Sequence, residues 1–412
     1  MLKAHKQVIS NKGAPGIDGI TTENLMNYCK EHWDRIKSEI MDGRYRPQPA
    51  KRVEIPKASG GMRALGIPCA IDRLIAQAIN QTLTPIFDPG FSPDSYGFRP
   101  NKSAHDAIKR AGDHIEAGFR WIVSIDLEKY FDRINHDILM SMVARKVQDK
   151  KVLLLIRRFL QSGVMDHGVI SATTEGAAQG NPLSPLLSNI MLDALDKELT
   201  KRGHRFCRFA DDANAFVKSK RSGIRVLASI ENFLISKLKL RLNKEKSTVT
   251  EPQNHTFLGY SFYGRKTCKL RIAHKSCERL KDKFRSKRKR WRGTEVTEVI
   301  KEINLMIRGW IVYFRLASGR TRIQEIEHWI LHHLRCIIWR QWKKPRTRFH
   351  KLLGLGVNRR DAARAAWGRG GPWPSSATRA MNYALRKAVL KEMGWISPVE
   401  LFDHYKITVK FG

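Results

Sequence analysis

The sequence predicts an α+β fold over its first two thirds, followed by a strongly basic region. Three observations predict it. Short β-branched runs alternate with amphipathic stretches, without a long parallel series. Hydrophobic residues make up 42% of the 412, enough for packed cores and too many for a disordered polycation. The formal net charge of +37 is unevenly spread: residues 1–262 carry +12 and residues 263–412 carry +25.

The elements follow in order. Gly and Pro punctuate 11–18, 57–61, 87–100 and 368–376, which read as loops. Residues 121–127 (WIVSIDL) read as a buried strand ending near Asp126. Residues 135–147 read as a helix with Ile138, Met142 and Val143 on one face. Residues 182–200 read as an amphipathic helix burying Leu183, Leu187, Ile190, Met191 and Leu195. The stretch 206–217 (FCRFADDANAFV) reads as a β-hairpin with Asp211 and Asp212 at or beside its turn. Residues 226–238 read as a helix, 257–262 as a short strand or hairpin, and 274–292 as one basic helix. Residues 263–292 hold 14 basic side chains and two acidic ones.

So large a positive excess requires a polyanion, and nucleic acid is the first choice because neutralised phosphates release counterions. Lys281, Lys283, Arg285, Lys287, Arg288 and Arg290 on the basic helix, with Lys343, Lys344 and Arg346 beyond it, are the candidate RNA contacts. Trp339, Trp342, Phe349 and Trp367 interleave the second basic stretch, either as base-stacking platforms or as core. An anionic membrane is the rival partner, but no apolar run of about 18 residues is present, and no single basic amphipathic helix carries the excess. There is no apolar leader, and the six cysteines contain no CxxC pair, so a reducing cytoplasmic setting is expected. His328, His332, His333 and Cys336 crowd one stretch. Without a carboxylate in an HExxH arrangement, they read as residues of a packed helix.

If strand 121–125 neighbours the hairpin, Asp126, Asp211 and Asp212 converge. Like charges that close need a counter-cation. Hard oxygen ligands suit Mg²⁺, and two such ions can drive nucleotidyl transfer. Asp is also common in turns for local hydrogen-bonding reasons, so the surroundings decide. Phe131 lies five residues after Asp126, where a ring can pack under a sugar and exclude a 2′-hydroxyl. Gln179 and Gly180 open a helix where backbone N–H groups approach a template–nucleotide pair. Lys57 and Arg63 flank a glycine-rich turn suited to a triphosphate.

Taken in order, 55–57 (IPK), 61–68 (GMRALGIP), 95–100 (SYGFRP), 126–132 (DLEKYFD), 179–185 (QGNPLSP), 209–212 (FADD), 243–247 (NKEKS) and 257–260 (FLGY) form a set that resembles the reverse transcriptases encoded by bacterial group II introns. Segment 11–18 looks like that family's N-terminal extension, and 275–284, 308–314 and 339–346 look like its maturase (thumb) region. The resemblance implies a right-hand polymerase: fingers and palm with antiparallel sheet over 1–262, a helical thumb or maturase region over 263–345, and a basic DNA-binding region over 346–412. It implies target-primed copying of intron RNA, assistance to splicing, and partnership with the intron RNA, target DNA and dNTPs. On matched positions, Asp126, Leu127 and Asp211 would ligate two Mg²⁺ ions, with Asp212 supporting. Lys57 and Arg63 would hold the dNTP phosphates, with Lys246 nearby. Phe131 would be the sugar gate, Gln179 and Gly180 would line the nascent pair, and Phe257, Leu258, Gly259 and Tyr260 would grip the primer.

Three departures stand out. Phe209 replaces the usual Tyr, and Ala177-Ala178 replace a Thr-Pro pair, which suggests a looser loop. The chain also lacks the Cys/His-rich endonuclease module of many members, so second-strand cleavage is not expected. Competing readings are a splicing-only RNA-binding protein, a reverse transcriptase recruited to defence or repair, and an RNA-templated RNA polymerase. The retained aspartates oppose the first and Phe131 opposes the last.

Overall fold

The computed structural model describes residues 1–411 apart from 57–60, 167–168, 172–173 and 265–266, and apart from the side chains of Arg63 and Ile170. Lys57 therefore lies outside the described residues. The chain divides into two compact units, Met1–Pro252 and Gln253–Gly412.

The first unit is α+β. Strands β1 (Ala50–Pro56), β2 (Met62–Ile67), β4 (Val164–Asp166) and β5 (Val169–Ser171) form one sheet in the order β2-β1-β4-β5. β1 pairs antiparallel with β2 and parallel with β4, so the antiparallel pairing expected from the resemblance is joined in this sheet by one parallel pair. The other sheet carries β3 (Trp121–Ile125), β6 (Arg205–Phe209), β7 (Asp212–Val217) and β8 (Thr248–Thr250) in the order β6-β7-β3-β8, antiparallel throughout.

Strand β3 is apolar and β-branched because it is central, with β7 and β8 on its two sides. Val123, Ile125, Ala213 and Ala215 share one core with Leu187, Ile190 and Met191 of the helix Ser184–Lys201. Polar residues set the helix starts. Ser103 and Asp106 form a capping box for Ala104–Glu116, and Asn135 caps His136–Ala144.

The second unit joins a small sheet to a helical array. Its strands are β9 (Thr256–Phe257), β10 (Tyr260–Tyr263) and β11 (Lys269–Ile272). The main helices are His274–Trp291, Val296–Tyr313 and Thr321–Gln341, followed by shorter ones to Tyr405. Charge marks a boundary after Phe262, but the compact units divide after Pro252. The cause is local. Tyr260 Oη–H donates to the Tyr313 carbonyl at 2.5 Å, and Tyr313 Oη–H to the Leu258 carbonyl at 2.8 Å. The β9–β10 hairpin is thereby fixed to the helix Val296–Tyr313. Within this unit, residues from 346 onward also dock on the preceding helices. Glu327, fully buried in Thr321–Gln341, accepts from Lys387 and Ser397, and Asn304 bonds the backbone of Gly394 and Ile396.

Candidate active site

The last registered pair of β3 and β7 is Ile125↔Ala213. One step further along the two strands stand Asp126 and Asp212. The β6–β7 hairpin closes at Phe209↔Asp212, which leaves Ala210 and Asp211 as a two-residue turn. Antiparallel pairing thus brings to one end of the sheet Asp126 and Asp212, which lie 86 residues apart in sequence. Asp211 is exposed at the turn, and Asp212 is partly covered.

Electrostatics record the proximity. Burial, set against the stabilising amide of Asn214 and reinforced by the charges of Asp211 and Asp126, pushes the Asp212 carboxyl up to about 7. Burial also raises Asp126, with Lys246 opposing and Asp211 adding to the rise. Lys246 Nζ lies 3.9 Å from Asp126 Oδ1. Among the described residues no group of three His, Cys, Asp or Glu side chains is placed to hold a metal ion. Of the convergence expected from sequence, the register brings Asp126 and Asp212 to the same end of adjacent strands, and their charges repel one another. An all-carboxylate, hard-oxygen set that is costly to ionise by itself fits a divalent cation.

Backbone contacts fix the position of Asp126. Its N–H donates to Ser247 Oγ at 3.1 Å, and its carbonyl accepts from Asn243 N–H at 2.8 Å. Buried Leu127 bridges to Leu242 in the same segment. The 243–247 turn thus holds Asp126 while it presents Lys246. Asn214 Nδ2 donates to Asp212 Oδ1 at 3.1 Å. Sequence reasoning passed over Asn214 and took Ser247 only as the last residue of the 243–247 motif. A lone buried Asn within the apolar run 213–217, two residues from Asp212 and on the same strand face, was the available signal.

Phe131 lies in the 3₁₀ turn Tyr130–Asp132 and, with Gln179, Gly66 and Ala177, lines a cavity of about 310 Å³. The Gln179 carbonyl accepts from Gly66 N–H at 2.9 Å, which ties the loop to β2. Gly180 (φ +115) lies so close that a Cβ there would sit 2.4 Å from the Gly66 carbonyl oxygen, so only glycine fits. Gln179 and Gly180 do not open a helix; the helix begins at Ser184. Nor is the loop slack where Ala177-Ala178 replace Thr-Pro. Ala177 N–H donates to the Phe131 carbonyl at 2.7 Å, and Ser184 Oγ–H to the Ala178 carbonyl at 2.8 Å. Arg63 pairs with Ile55 through its backbone in β2.

In the second unit, Leu258 (φ +49) and Gly259 (φ +82) form the β9–β10 turn between Phe257 and Tyr260. Leu258 and Gly259 line a cavity of about 640 Å³ with Arg279, Lys283, Trp310 and Tyr313. The basic helix is His274–Trp291, but much of its charge is neutralised inside the unit. Lys281 Nζ donates to Glu278 at 2.8 Å, and Arg285 to Asp282 at 2.6 Å. Lys287 and Arg290 both bind Glu302, which also accepts Trp291 Nε1–H at 2.6 Å. Lys283 and Arg288 are exposed, as are Lys343, Lys344 and Arg346. Trp339 is buried beneath the Arg348 guanidinium, whereas Trp367 remains 53% exposed. His333 is enclosed by Phe284, Trp329 and Trp373, and His332 stacks on Trp373 with ring centroids 3.7 Å apart.

A carboxylate-edged antiparallel palm, with a ring and a glycine-fitted loop beside a separate mixed sheet, is the arrangement of a polynucleotide polymerase. The chain belongs to the reverse transcriptase family: residues 55–262 match the family model for reverse transcriptase (RNA-dependent DNA polymerase). Residues 277–353 match the maturase-specific domain of group II introns. The chain is 32% identical to protein YkfC of Escherichia coli K12 over 311 residues, covering 66% of this chain and 81% of that protein. It is 29% identical to the group II intron-encoded protein LtrA of Lactococcus lactis over 417 residues, covering 78% and 69% respectively. A solved telomerase from Candida albicans aligns over 92% of this chain and 69% of its own, with a TM-score of 0.46 and 13% identity. The protein is an RNA-directed DNA polymerase with a maturase domain. No helix among the described residues is long and apolar enough to cross a membrane.

Proposed function

We propose that this polymerase copies the group II intron RNA that encodes it, by target-primed reverse transcription, and binds that RNA to assist its splicing. Its partners are the intron RNA, a target DNA and dNTPs, and it works in the bacterial cytoplasm. Asp126, Asp211 and the backbone at Leu127 would hold two Mg²⁺ ions, with Asp212 supporting the set. Divalent ions at this site would supply the positive charge that activates a primer hydroxyl and offsets charge on departing pyrophosphate.

The chain's own residues position the reactants. Lys57 and Arg63 clamp the triphosphate, and Lys246 adds a cation beside Asp126. The Phe131 ring packs under the deoxyribose and leaves no space for a 2′-hydroxyl. Gln179 and Gly180 present backbone to the nascent pair, and Phe257, Leu258, Gly259 and Tyr260 hold the primer end. Lys281, Lys283, Arg285, Lys287, Arg288 and Arg290, with Lys343, Lys344 and Arg346, form the RNA-facing charge, and residues 346–412 contact the DNA target. Lys283, Arg288, Lys343, Lys344 and Arg346 carry the direct contacts, while the internally paired cations shape the surface.

The observation that carries this reading is the step beyond Ile125↔Ala213, which sets Asp126 beside Asp212 with Lys246 at hand. The test is extension of oligo(dT) on poly(rA) with dTTP and Mg²⁺. Wild type should extend and Asp211→Ala should not. A folded wild type that fails under a range of salts would leave only the RNA-binding role.

A further inference from the structure

The aspartate turn holds an alanine in a conformation that alanine disfavours. Ala210 has φ +58, in the left-handed region that suits glycine. A two-residue hairpin turn calls for positive φ at its first central residue, and two contacts from outside the loop brace Ala210 in that conformation. On the carbonyl side, Arg208 Nη1–H donates to the Ala210 oxygen at 2.9 Å. On the amide side, Gly97 approaches so closely that a Cβ there would lie 2.2 Å from Ala210 N.

Both contacts refer to one rigid element. Arg208 is fully buried, and its Nε and Nη2 grip the Asp196 carboxylate at 2.8 and 2.6 Å. Its Nη1 also donates to Asn189 Oδ1 at 2.9 Å. Asn189 Nδ2 in turn donates to the Gly97 carbonyl at 2.8 Å. Asn189 and Asp196 are seven residues apart on the helix Ser184–Lys201, two turns along one face. The backbone closes the clamp: Tyr96 N–H donates to the Arg208 carbonyl at 2.8 Å, and Arg208 N–H to the Asp94 carbonyl at 2.9 Å.

We propose that Arg208 is a positioning residue for catalysis: it transmits the rigidity of the helix Ser184–Lys201 to the Ala210 carbonyl and so fixes the direction in which Asp211 is presented. The proposal rests on the assignment of Asp211 as a metal-holding residue. Stability alone does not call for this residue. A buried Arg–Asp pair can commonly be exchanged for apolar residues of similar size without loss of stability. What packing cannot replace is the donor aimed at the Ala210 oxygen, together with the planar fork that serves Asp196, Asn189 and Ala210 at once. A lysine has no such fork.

The test uses the full chain in primer extension, with Mg²⁺ titrated and folding followed by circular dichroism and melting. The double variant Arg208→Met/Asp196→Leu removes both charges together and should stay folded, melting below wild type because Asn189 Oδ1 and the Ala210 carbonyl lose their donor. Its kcat should fall roughly 30- to 100-fold, as expected for a misplaced reacting group. The Mg²⁺ concentration for half-maximal rate should rise, while the KM for dTTP and primer–template affinity stay within about twofold. Arg208→Lys, which keeps the charge and loses the fork, should show the same split in milder form. A folded variant of either kind with kcat and Mg²⁺ dependence near wild type overturns the proposal. If both variants lose the folded signature, the role is structural and the proposal fails. Asp211→Ala runs alongside: if it still extends primer, the assignment of Asp211 fails independently of Arg208.

Discussion

At the sheet edge of the first unit, Asp126, Asp211 and Asp212 crowd together with Lys246 as the nearby cation. On the basic helix of the second unit, Lys287 and Arg290 converge on Glu302, while Lys281 and Arg285 have their own carboxylates. In sequence, the second region looks far more charged. In the fold, much of its charge is already answered, while the carboxylates of the first still repel one another. Charge that a fold leaves uncompensated has to be met from outside, so it is a better guide to function than charge density.

The largest effect that can break this contrast is at the carboxylates. Asp126→Asn or Asp211→Asn should lower kcat by more than about 10³-fold, since each removes a charge from the transition-state environment. A loss below tenfold in a folded variant would mean that the edge carboxylates are not the catalytic charge. Next, Phe131→Val should reduce discrimination against ribonucleotides by roughly 10- to 100-fold, read as the ratio of kcat/KM for dTTP and UTP. Unchanged discrimination would remove Phe131 from the sugar site.

On the other side of the contrast, Glu302→Gln should destabilise the second unit by about 1–3 kcal/mol, because Lys287, Arg290 and Trp291 all lose a charged acceptor. The Lys287 and Trp291 hydrogen bonds hold the Glu302 carboxyl down to about 2, so this contribution is present above the ordinary Glu range and is lost only as pH falls toward 2. Thermal melting near pH 7 should therefore show the full loss.

Asp72 sharpens the comparison from within the first unit. It is buried and accepts from Tyr45 Oη–H at 2.7 Å and Gln48 N–H at 3.0 Å, and burial pushes its carboxyl up to about 7. A raised carboxyl stabilises the fold below its unfolded pKa, and that contribution is lost as pH rises toward 7. Asp72→Asn should thus gain on wild type between pH 5 and 8, by on the order of 1–2 kcal/mol at the upper end. A gap in melting temperature that does not widen with pH would contradict this. The smallest effect belongs to the exposed cations. Lys283→Ala and Arg288→Ala should each reduce the salt slope of RNA binding by about one unit while leaving melting unchanged. Lys287→Ala should instead lower the melting temperature.

Much of the fold was legible because its signals are local. The β-branched run before Asp126 and the alternation either side of the Asp-Asp step specify strands and a hairpin. The basic helix of 274–292 matches His274–Trp291 within a residue. Boundaries shifted where capping or tertiary contacts intervened. The helix after Gln179 begins only at Ser184, because the preceding residues bond to β2 and to the Phe131 turn. The stretch 226–238 is an α-helix from Lys220 to Phe233 that passes into a π-turn. The parallel pairing of β1 with β4 joins segments more than a hundred residues apart, and no local pattern announces it.

By itself the sequence determined the strand and helix periods, the turn at Asp211, the charge asymmetry, and the ordered motifs that mark a reverse transcriptase, because each is written in neighbouring residues. Tertiary structure alone decided that Asp126 meets Asp212, that Asn214 and Ser247 hold them, that Arg208 reaches Asp196, and which lysines and arginines are already paired. These outcomes depend on strand register and on helices packed across long loops. Electrostatic energy follows distance through space, and composition carries no record of that distance.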